Sequence, residues 1–82
     1  MTALQGVRQF VVSNFYVPDS NSPGDDTSLL AAGIVDSTGI LEVIQFVEKE
    51  FGIKVEDDEI LPENLDGIGN ISRFVERKLA NR

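Results

Sequence analysis

Apolar residues recur at helical spacing over the first part of the chain, from Leu4 to Val17. Thr2 precedes this stretch and is a candidate N-cap, while Pro18 follows it and is a candidate helix stop. The pattern therefore predicts a first amphipathic helix. Its buried stripe is predicted to consist of Leu4, Val7, Val11 and Phe15, widened by Phe10 and Val12.

Two further stretches show the same period. One predicts a helix from about Ser37 to Phe51, ended by Gly52, and the other predicts a helix from near Asp66 to about Leu79. Two glycines in the first turn of the last helix each cost about 1 kcal/mol in a helix interior, so we expect that start to fray. They are Gly67 and Gly69. The predicted buried residues are Ile40, Val43, Ile44, Val47 and Phe51 in the middle helix, and Ile68, Ile71, Phe74 or Val75, and Leu79 in the last.

The connections carry weaker signals. Residues 18–26, "PDSNSPGDD", form a polar loop, and "TSLLAAG" predicts a brief turn that buries Leu29 and Leu30 and ends at Gly33. The segment "VEDDEILP" predicts a short helix, capped by Asp57 or Asp58 and closed by the proline at position 62.

No stretch predicts a convincing β-strand. The nearest is "FGIKVE", and a single strand has no partner. We therefore predict an all-α fold in one domain, residues 1–82: a small four-helix bundle with three longer helices, one short helix and a long first loop. A loop of that length is uncommon, so it must be anchored or functional.

The composition removes several classes of chemistry. The chain has no cysteine and no histidine, which excludes disulfides, a catalytic triad with histidine and the common zinc sites. Asp19, Asn21 and Gly24 resemble the start of a calcium loop, but Leu30 stands where a bidentate glutamate is required. We therefore predict neither an enzyme nor a metal-binding protein.

The charge is strongly acidic, with 14 acidic against 7 basic residues. Such a surface is repelled by phosphate backbones and is complementary to a basic protein surface, so we expect a protein partner and no nucleic acid. Charged or polar residues interrupt every apolar run, so we expect no secretory segment and no membrane span. The expectation is a soluble, cytoplasmic monomer.

Asp36 and Ser37 stand directly before the middle helix, where either residue is typical of an N-cap. Ser37 is not predicted to be a nucleophile, because the nearest lysine, Lys49, is about three helical turns away. A phosphate on this serine would face the unpaired N–H groups and the positive end of the helix dipole. The residues alone leave two interpretations open, a helix cap or an attachment point.

The run "LLAAGIVDSTGILEVIQFVEKEFGIKVEDDEILPENLDGIGNISRFV" resembles the carrier-protein family, which comprises acyl carrier proteins and the aminoacyl and peptidyl carriers. The family pattern has a Gly, two residues, Asp-Ser-Leu, a Glu five residues after the Ser, and an acidic helix end leading into Phe-Gly-Ile. The positions in register are Gly33, Asp36, Ser37, Glu42, Glu48, Glu50, Phe51, Gly52, Ile53, Val55, Asp57 and Asp58.

By this resemblance, a phosphopantetheinyl transferase uses coenzyme A and a metal ion to attach 4′-phosphopantetheine to Ser37, and Asp36 helps to present the serine. The thiol missing from the chain then belongs to the prosthetic group, which holds an acyl or aminoacyl group as a thioester. The resemblance also implies a loading ligase and acyl-processing enzymes with basic surfaces as partners. Their recognition face is predicted to comprise Glu42, Gln45 and Glu48.

One position departs from the family pattern, because Thr38 replaces the leucine that follows the modified serine. Burial of a leucine is worth roughly 1.5–3 kcal/mol, so we expect weaker docking to enzymes that bind this leucine. We therefore expect a specialised carrier of fatty acid biosynthesis or lipid metabolism with its own partners, rather than one used by the housekeeping fatty-acid machinery. Fatty acyl, aminoacyl, D-alanyl and peptidyl cargo remain open. Phe46 and Phe74 either line an acyl cavity or simply pack. The alternative from another class is an unmodified acidic adaptor.

Overall fold

Four α-helices make up most of the structure. A computed structural model of the chain describes residues 2–15 and 24–81. Within those two ranges there is no β-strand, which confirms the predicted all-α bundle. The helices are α1 (Ala3–Asn14), α2 (Ser37–Phe51), α3 (Pro62–Leu65) and α4 (Ile68–Ala80), and a single 3₁₀ turn covers Asp57–Glu59.

Helix α1 begins as predicted and ends earlier than predicted. The hydroxyl of Thr2 accepts the N–H of Gln5, and the Gln5 side chain accepts the N–H of Thr2, which confirms the cap. The helix ends at Asn14, three residues before the predicted end, because the backbone becomes extended at Phe15. The predicted stop, Pro18, lies outside the described residues.

The buried stripe of α1 is narrower than predicted. Val7 and Val11 are fully buried, and Phe10 packs against the core. Val12 was predicted to widen the stripe and is instead 47% exposed, because each residue turns the side chain by about 100° away from its neighbour. Leu4 and Phe15 also pack half-buried against the core, so the predicted stripe is confirmed except at Val12.

Helix α2 has the predicted bounds. Gly52 ends it in the left-handed conformation, with φ 68°, and its N–H donates to the carbonyl of Glu48. Val43 and Val47 are buried, and the other predicted core residues of the helix pack half-buried against the same core.

The segment between α2 and α4 differs from the predicted single short helix. The residue before the 3₁₀ turn is Glu56, not Asp57 or Asp58, and its N–H donates to the carboxylate of Glu59. Pro62 does not close a helix but opens α3. Its fixed φ and missing N–H suit a first helical position, where that N–H would have no intrahelical partner.

Helix α4 forms the centre of the hydrophobic core. Ile68, Ile71, Phe74 and Val75 are all buried, so both of the alternatives considered for the third core position are inside, and Leu79 is half-buried. Helices α1, α2 and α3 each contact α4. The remaining buried apolar residues are Val7, Val11, Leu29, Val35, Val43, Val47, Val55 and Leu65.

The two glycines at the start of α4 are not a frayed helix interior, so that expectation was wrong. Gly67 precedes the helix with φ 117°, a conformation that favours glycine. The N–H of Gly69 donates to the carbonyl of Asp25 at 2.8 Å, and a Cβ on Gly69 would lie 2.9 Å from that oxygen. The side chain of Asp25 also bonds to Arg8 of α1. The end of the first loop is therefore fixed between α1 and α4.

The turn before α2 is held by one carboxylate. Asp66 accepts the hydroxyl of Ser28 and, at 3.0 Å, the N–H of Leu30. Leu29 is buried as predicted, but Leu30 was also predicted to be buried and is 40% exposed, because its N–H is turned towards Asp66. Gly33 ends the turn with φ 74°, as predicted.

We predict that Gly69→Ala destabilises the protein. Alanine would normally stabilise a helix position by about 1 kcal/mol, but here its Cβ meets a backbone carbonyl at 2.9 Å, and such overpacking costs about 1–3 kcal/mol. Urea unfolding should show a net loss of up to about 2 kcal/mol. Gly24→Ala is the control, since its Cβ would make only an ordinary contact at 3.4 Å with the side chain of Thr27. Equal effects of the two substitutions would contradict the close approach at Gly69.

We predict a pH-dependent contribution from Glu59. Its pKa is lowered from the ordinary value of 4.5, first by the N–H of Glu56 and then by the hydrogen bond from Lys78, whose Nζ lies 2.9 Å away. The lowered pKa means that the stabilisation is present above about pH 4.5 and is lost as the pH falls through the folded-state pKa. Glu59→Gln should cost about 0.5–1 kcal/mol at pH 7 and progressively less in acid.

Thermal or urea unfolding from pH 7 to pH 3 measures this difference. Glu63→Gln is the control, because it changes the net charge equally at an exposed position of α3. A constant difference between wild type and Glu59→Gln over that range would contradict the prediction.

Candidate functional site

The structure assigns different roles to Asp36 and Ser37. Asp36 is the N-cap of α2, in extended conformation, and its carboxylate oxygen Oδ1 accepts the N–H of Gly39 at 2.7 Å. Ser37 is the first helical residue and is exposed. Because Asp36 makes the capping hydrogen bond, the helix start does not need the Ser37 hydroxyl. The interpretation of Ser37 as the cap is therefore not supported.

The backbone leading to Asp36 is fixed by Leu29. The carbonyl of this buried residue accepts the N–H of Ile34 at 3.0 Å and that of Val35 at 3.2 Å. Val35 is itself buried, directly before the exposed pair Asp36 and Ser37. The serine is thus presented to solvent at the end of an anchored segment.

Gly39 allows α1 to approach the start of α2. A Cβ on this residue would lie 2.9 Å from the ring of Phe15 and 3.0 Å from the side chain of Val35. The ring of Phe15 meets that of Phe10 edge-on at 5.8 Å, and Phe10 stacks on Phe46 at 4.1 Å. The missing side chain at position 39 therefore has a packing reason.

The two phenylalanines considered for an acyl cavity, Phe46 and Phe74, pack against other side chains. Phe74 is 2% exposed in the core, and Phe46 is stacked against Phe10 and meets Phe51 edge-on. Phe46 also borders an open groove of about 400 Å³ between α1 and the end of α2. For both residues the structure favours the simple packing interpretation.

Two grooves border the start of α2. An apolar groove of about 280 Å³ includes Ser37, and its walls are formed by Leu30, Ile40, Leu41, Ile60, Leu61 and Leu65. A second groove, of about 300 Å³, is more polar and is bordered by Asn14, Asp36, Thr38 and Glu42. The residue that departs from the family pattern, Thr38, thus borders the polar groove and not the apolar one.

The apolar groove was not predicted from the sequence. Leu41 carried a signal, because it is a large apolar residue outside the predicted buried stripe of α2. Ile60 and Leu61 carried none, because their segment was predicted to be part of one short helix. Their placement depends on the actual start of α3 at Pro62.

The predicted partner residues of α2 differ in availability. Thr38, Glu42 and Gln45 are exposed. Glu48 is half-buried, and its carboxylate accepts the N–H of Val55 at 2.9 Å. Glu48 thus has a structural role in the connection after α2, and its part in partner recognition stays a prediction.

The residues around Ser37 are suited to a phosphodiester. The hydroxyl is exposed, and helix geometry leaves the N–H groups of the first turn, including those of Ser37 and Thr38, without intrahelical partners. The positive end of the α2 dipole lies at the same place and favours a negative charge. A phosphate on this side chain would therefore be accepted without rearrangement of the helix start.

A small helical bundle with an exposed serine at the start of its second long helix is the arrangement that the resemblance to carrier proteins predicts. The family model for the phosphopantetheine attachment site matches residues 5–75, and the chain belongs to this family. A comparison with curated proteins found no significant match. Members of the family are non-catalytic carriers with covalently bound 4′-phosphopantetheine, which agrees with the predicted cofactor and with the prediction that the chain is not an enzyme.

Within residues 2–15 and 24–81, no helix is both long enough and apolar enough to cross a membrane. No group of three or more acidic, histidine or cysteine side chains in these ranges is placed to hold a metal ion.

We predict that Asp36→Ala destabilises α2 by about 1 kcal/mol through loss of the cap. Asp36→Asn is the matched control, because it removes the charge but keeps a side-chain oxygen that can accept the N–H of Gly39. Urea unfolding of the unmodified protein should therefore rank wild type and Asp36→Asn close together, with Asp36→Ala below both. Equal stability of all three proteins would contradict the assignment of Asp36 as the cap.

Proposed function

We propose that Ser37 is the residue that bears 4′-phosphopantetheine and that the chain carries acyl groups as thioesters on it. The observation that carries this proposal is the exposed Ser37 hydroxyl, which the cap leaves unused at the N-terminus of α2. In the transfer, the Ser37 oxygen forms a bond to the phosphorus next to the pantetheine of coenzyme A. The pyrophosphate bond breaks, adenosine 3′,5′-bisphosphate leaves, and the serine proton passes to a base of the transferase. When bound, the group supplies the thiol.

Asp36 supports this site in two ways. Its Oδ1 holds the first turn of α2 through the N–H of Gly39, at 2.7 Å, and thereby fixes the backbone that bears Ser37. Its carboxylate also borders the polar groove beside the serine, where an approaching transferase can contact it. We therefore propose Asp36 as a positioning residue for the modification.

The surroundings of Ser37 favour an aliphatic acyl cargo. The groove that includes this serine has apolar walls, and no charged side chain borders it. An aminoacyl or D-alanyl cargo is the second candidate, because Asp36 and Glu42 border the polar groove and carboxylates pair with an ammonium group. A peptidyl cargo has no separate observation in its favour.

We propose that the partners are a phosphopantetheinyl transferase, a loading ligase and acyl-processing enzymes with basic docking surfaces. Glu42 and Gln45 are exposed on α2 and support a recognition face there, whereas Glu48 is partly used by the bond to Val55. The polar Thr38 at the attachment site supports a specialised carrier with its own enzymes. Contacts made by exposed charges should weaken as salt is raised.

The test is the intact mass after incubation with coenzyme A, magnesium and a broad-specificity phosphopantetheinyl transferase. Wild type should gain one phosphopantetheine, and Ser37→Ala should gain none while its free energy of unfolding changes by less than about 0.5 kcal/mol, because Asp36 keeps the cap. Asp36→Asn keeps the capping oxygen and should remain folded, so slower loading of this variant would report on the Asp36 carboxylate and not on the helix start. Failure of wild type to load, beside a known carrier that loads, would contradict the proposal and favour an unmodified acidic adaptor.

A further inference from the structure

Exposed apolar side chains gather around Ser37. Among the described residues, five large hydrophobic side chains are exposed, and four of them border the apolar groove. Only Val12, on α1, lies elsewhere. Such a concentration is typical of a contact surface, since single exposed apolar residues are ordinarily scattered. The four, which we call the apolar rim, are Leu30 (40% exposed), Leu41 (57%), Ile60 (41%) and Leu61 (42%).

Leu41 is the most exposed residue of the rim and the only one on α2. It follows Ser37 by four residues, so the two side chains lie on the same face of the helix one turn apart. Thr38 is the residue next to Ser37 in sequence, but it borders the polar groove. An enzyme that reaches the Ser37 hydroxyl from the side of the apolar groove therefore meets Leu41, with Leu61 at the same groove.

The charges around the apolar rim specify the complementary surface. Exposed acidic residues lie near two rim residues in sequence: Glu42 directly follows Leu41, and Glu63 is the second residue after Leu61. From residue 36 to residue 66 the chain has ten acidic residues and only two lysines. The surface that fits is therefore an apolar patch bordered by Lys or Arg.

Resting on the proposed function, we propose that Leu41, supported by Leu61, is the apolar docking contact for the phosphopantetheinyl transferase, and that position 38 does not supply this contact. The transferase meets the protein before any cargo is attached, so the rim is open at that stage. Leu41 is thus a specificity-determining residue for the modification and takes no part in the chemistry at the Ser37 oxygen.

The experiment measures kcat and KM for loading by a broad-specificity phosphopantetheinyl transferase with coenzyme A and magnesium. The variants are Leu41→Gln, Leu61→Gln, Thr38→Leu and the double variant Thr38→Leu/Leu41→Gln. Val12→Gln is the matched control, because it removes a similarly exposed apolar side chain far along the sequence from the rim. Circular dichroism checks that each variant is folded. We expect folded variants because the replaced side chains are exposed.

Leu41→Gln should raise KM about tenfold or more with a nearly unchanged kcat, since burial of a leucine is worth that much or more. Leu61→Gln should have a smaller effect in the same direction, and Val12→Gln none. The ratio of wild type to Leu41→Gln should persist at 0.5 M salt, where the contribution of the charges is screened. Thr38→Leu should not restore the rate of Leu41→Gln.

Loading of Leu41→Gln at the wild-type rate would overturn this inference while leaving the proposed function intact. Rescue by Thr38→Leu would also overturn it, because the contact would then lie at position 38. Absence of loading on wild type would overturn the proposed function together with the inference.

Discussion

The attachment of the first loop to Asp66 and to the N-terminal turn of α4 is the constraint on which the rest of the structure depends. The chain has no disulfide, so hydrogen bonds must fix the connection between α1 and α2. The Asp66 carboxylate holds Ser28 and Leu30, while the N–H of Gly69 holds the carbonyl of Asp25. With the loop ordered at these points, Leu29 can enter the core, and its carbonyl can direct the segment that ends at Asp36 and Ser37.

This arrangement separates the stability of the site from its reactivity. Asp36 forms the cap, Gly39 allows the close approach of Phe15, and Val35 fills the core beneath the turn. None of these contacts uses the Ser37 hydroxyl. A side chain that is to be modified by another enzyme must be able to enter that enzyme's active site, so a helix start that depended on the serine would be lost on docking. Because the cap is made by Asp36, the proposed modification of Ser37 would leave the helix start intact.

The sequence predicted the features that depend on local pattern. The bounds of α2 follow from strong periodicity and from Gly52, and Thr2 was recognisable as the N-cap of α1. The features set by distant contacts could not be predicted. From the sequence alone, Gly67 and Gly69 are expected to weaken a helix. Only the structure shows that the first loop packs against them. Pro62 is compatible with either end of a helix, and its actual role decides that Ile60 and Leu61 border the apolar groove beside Ser37.

A carrier must reach many enzymes quickly and leave each of them, which limits how its surface can be built. Exposed carboxylates such as those of Glu42 and Glu63 raise the rate of encounter with basic surfaces but add little affinity, so dissociation stays fast. In the proposed docking, a few exposed apolar side chains around Ser37 would distinguish the correct surface through short-range packing. The polar residue at position 38 would confine this apolar contact to one side of the serine. The combination favours brief, selective contacts over a stable complex.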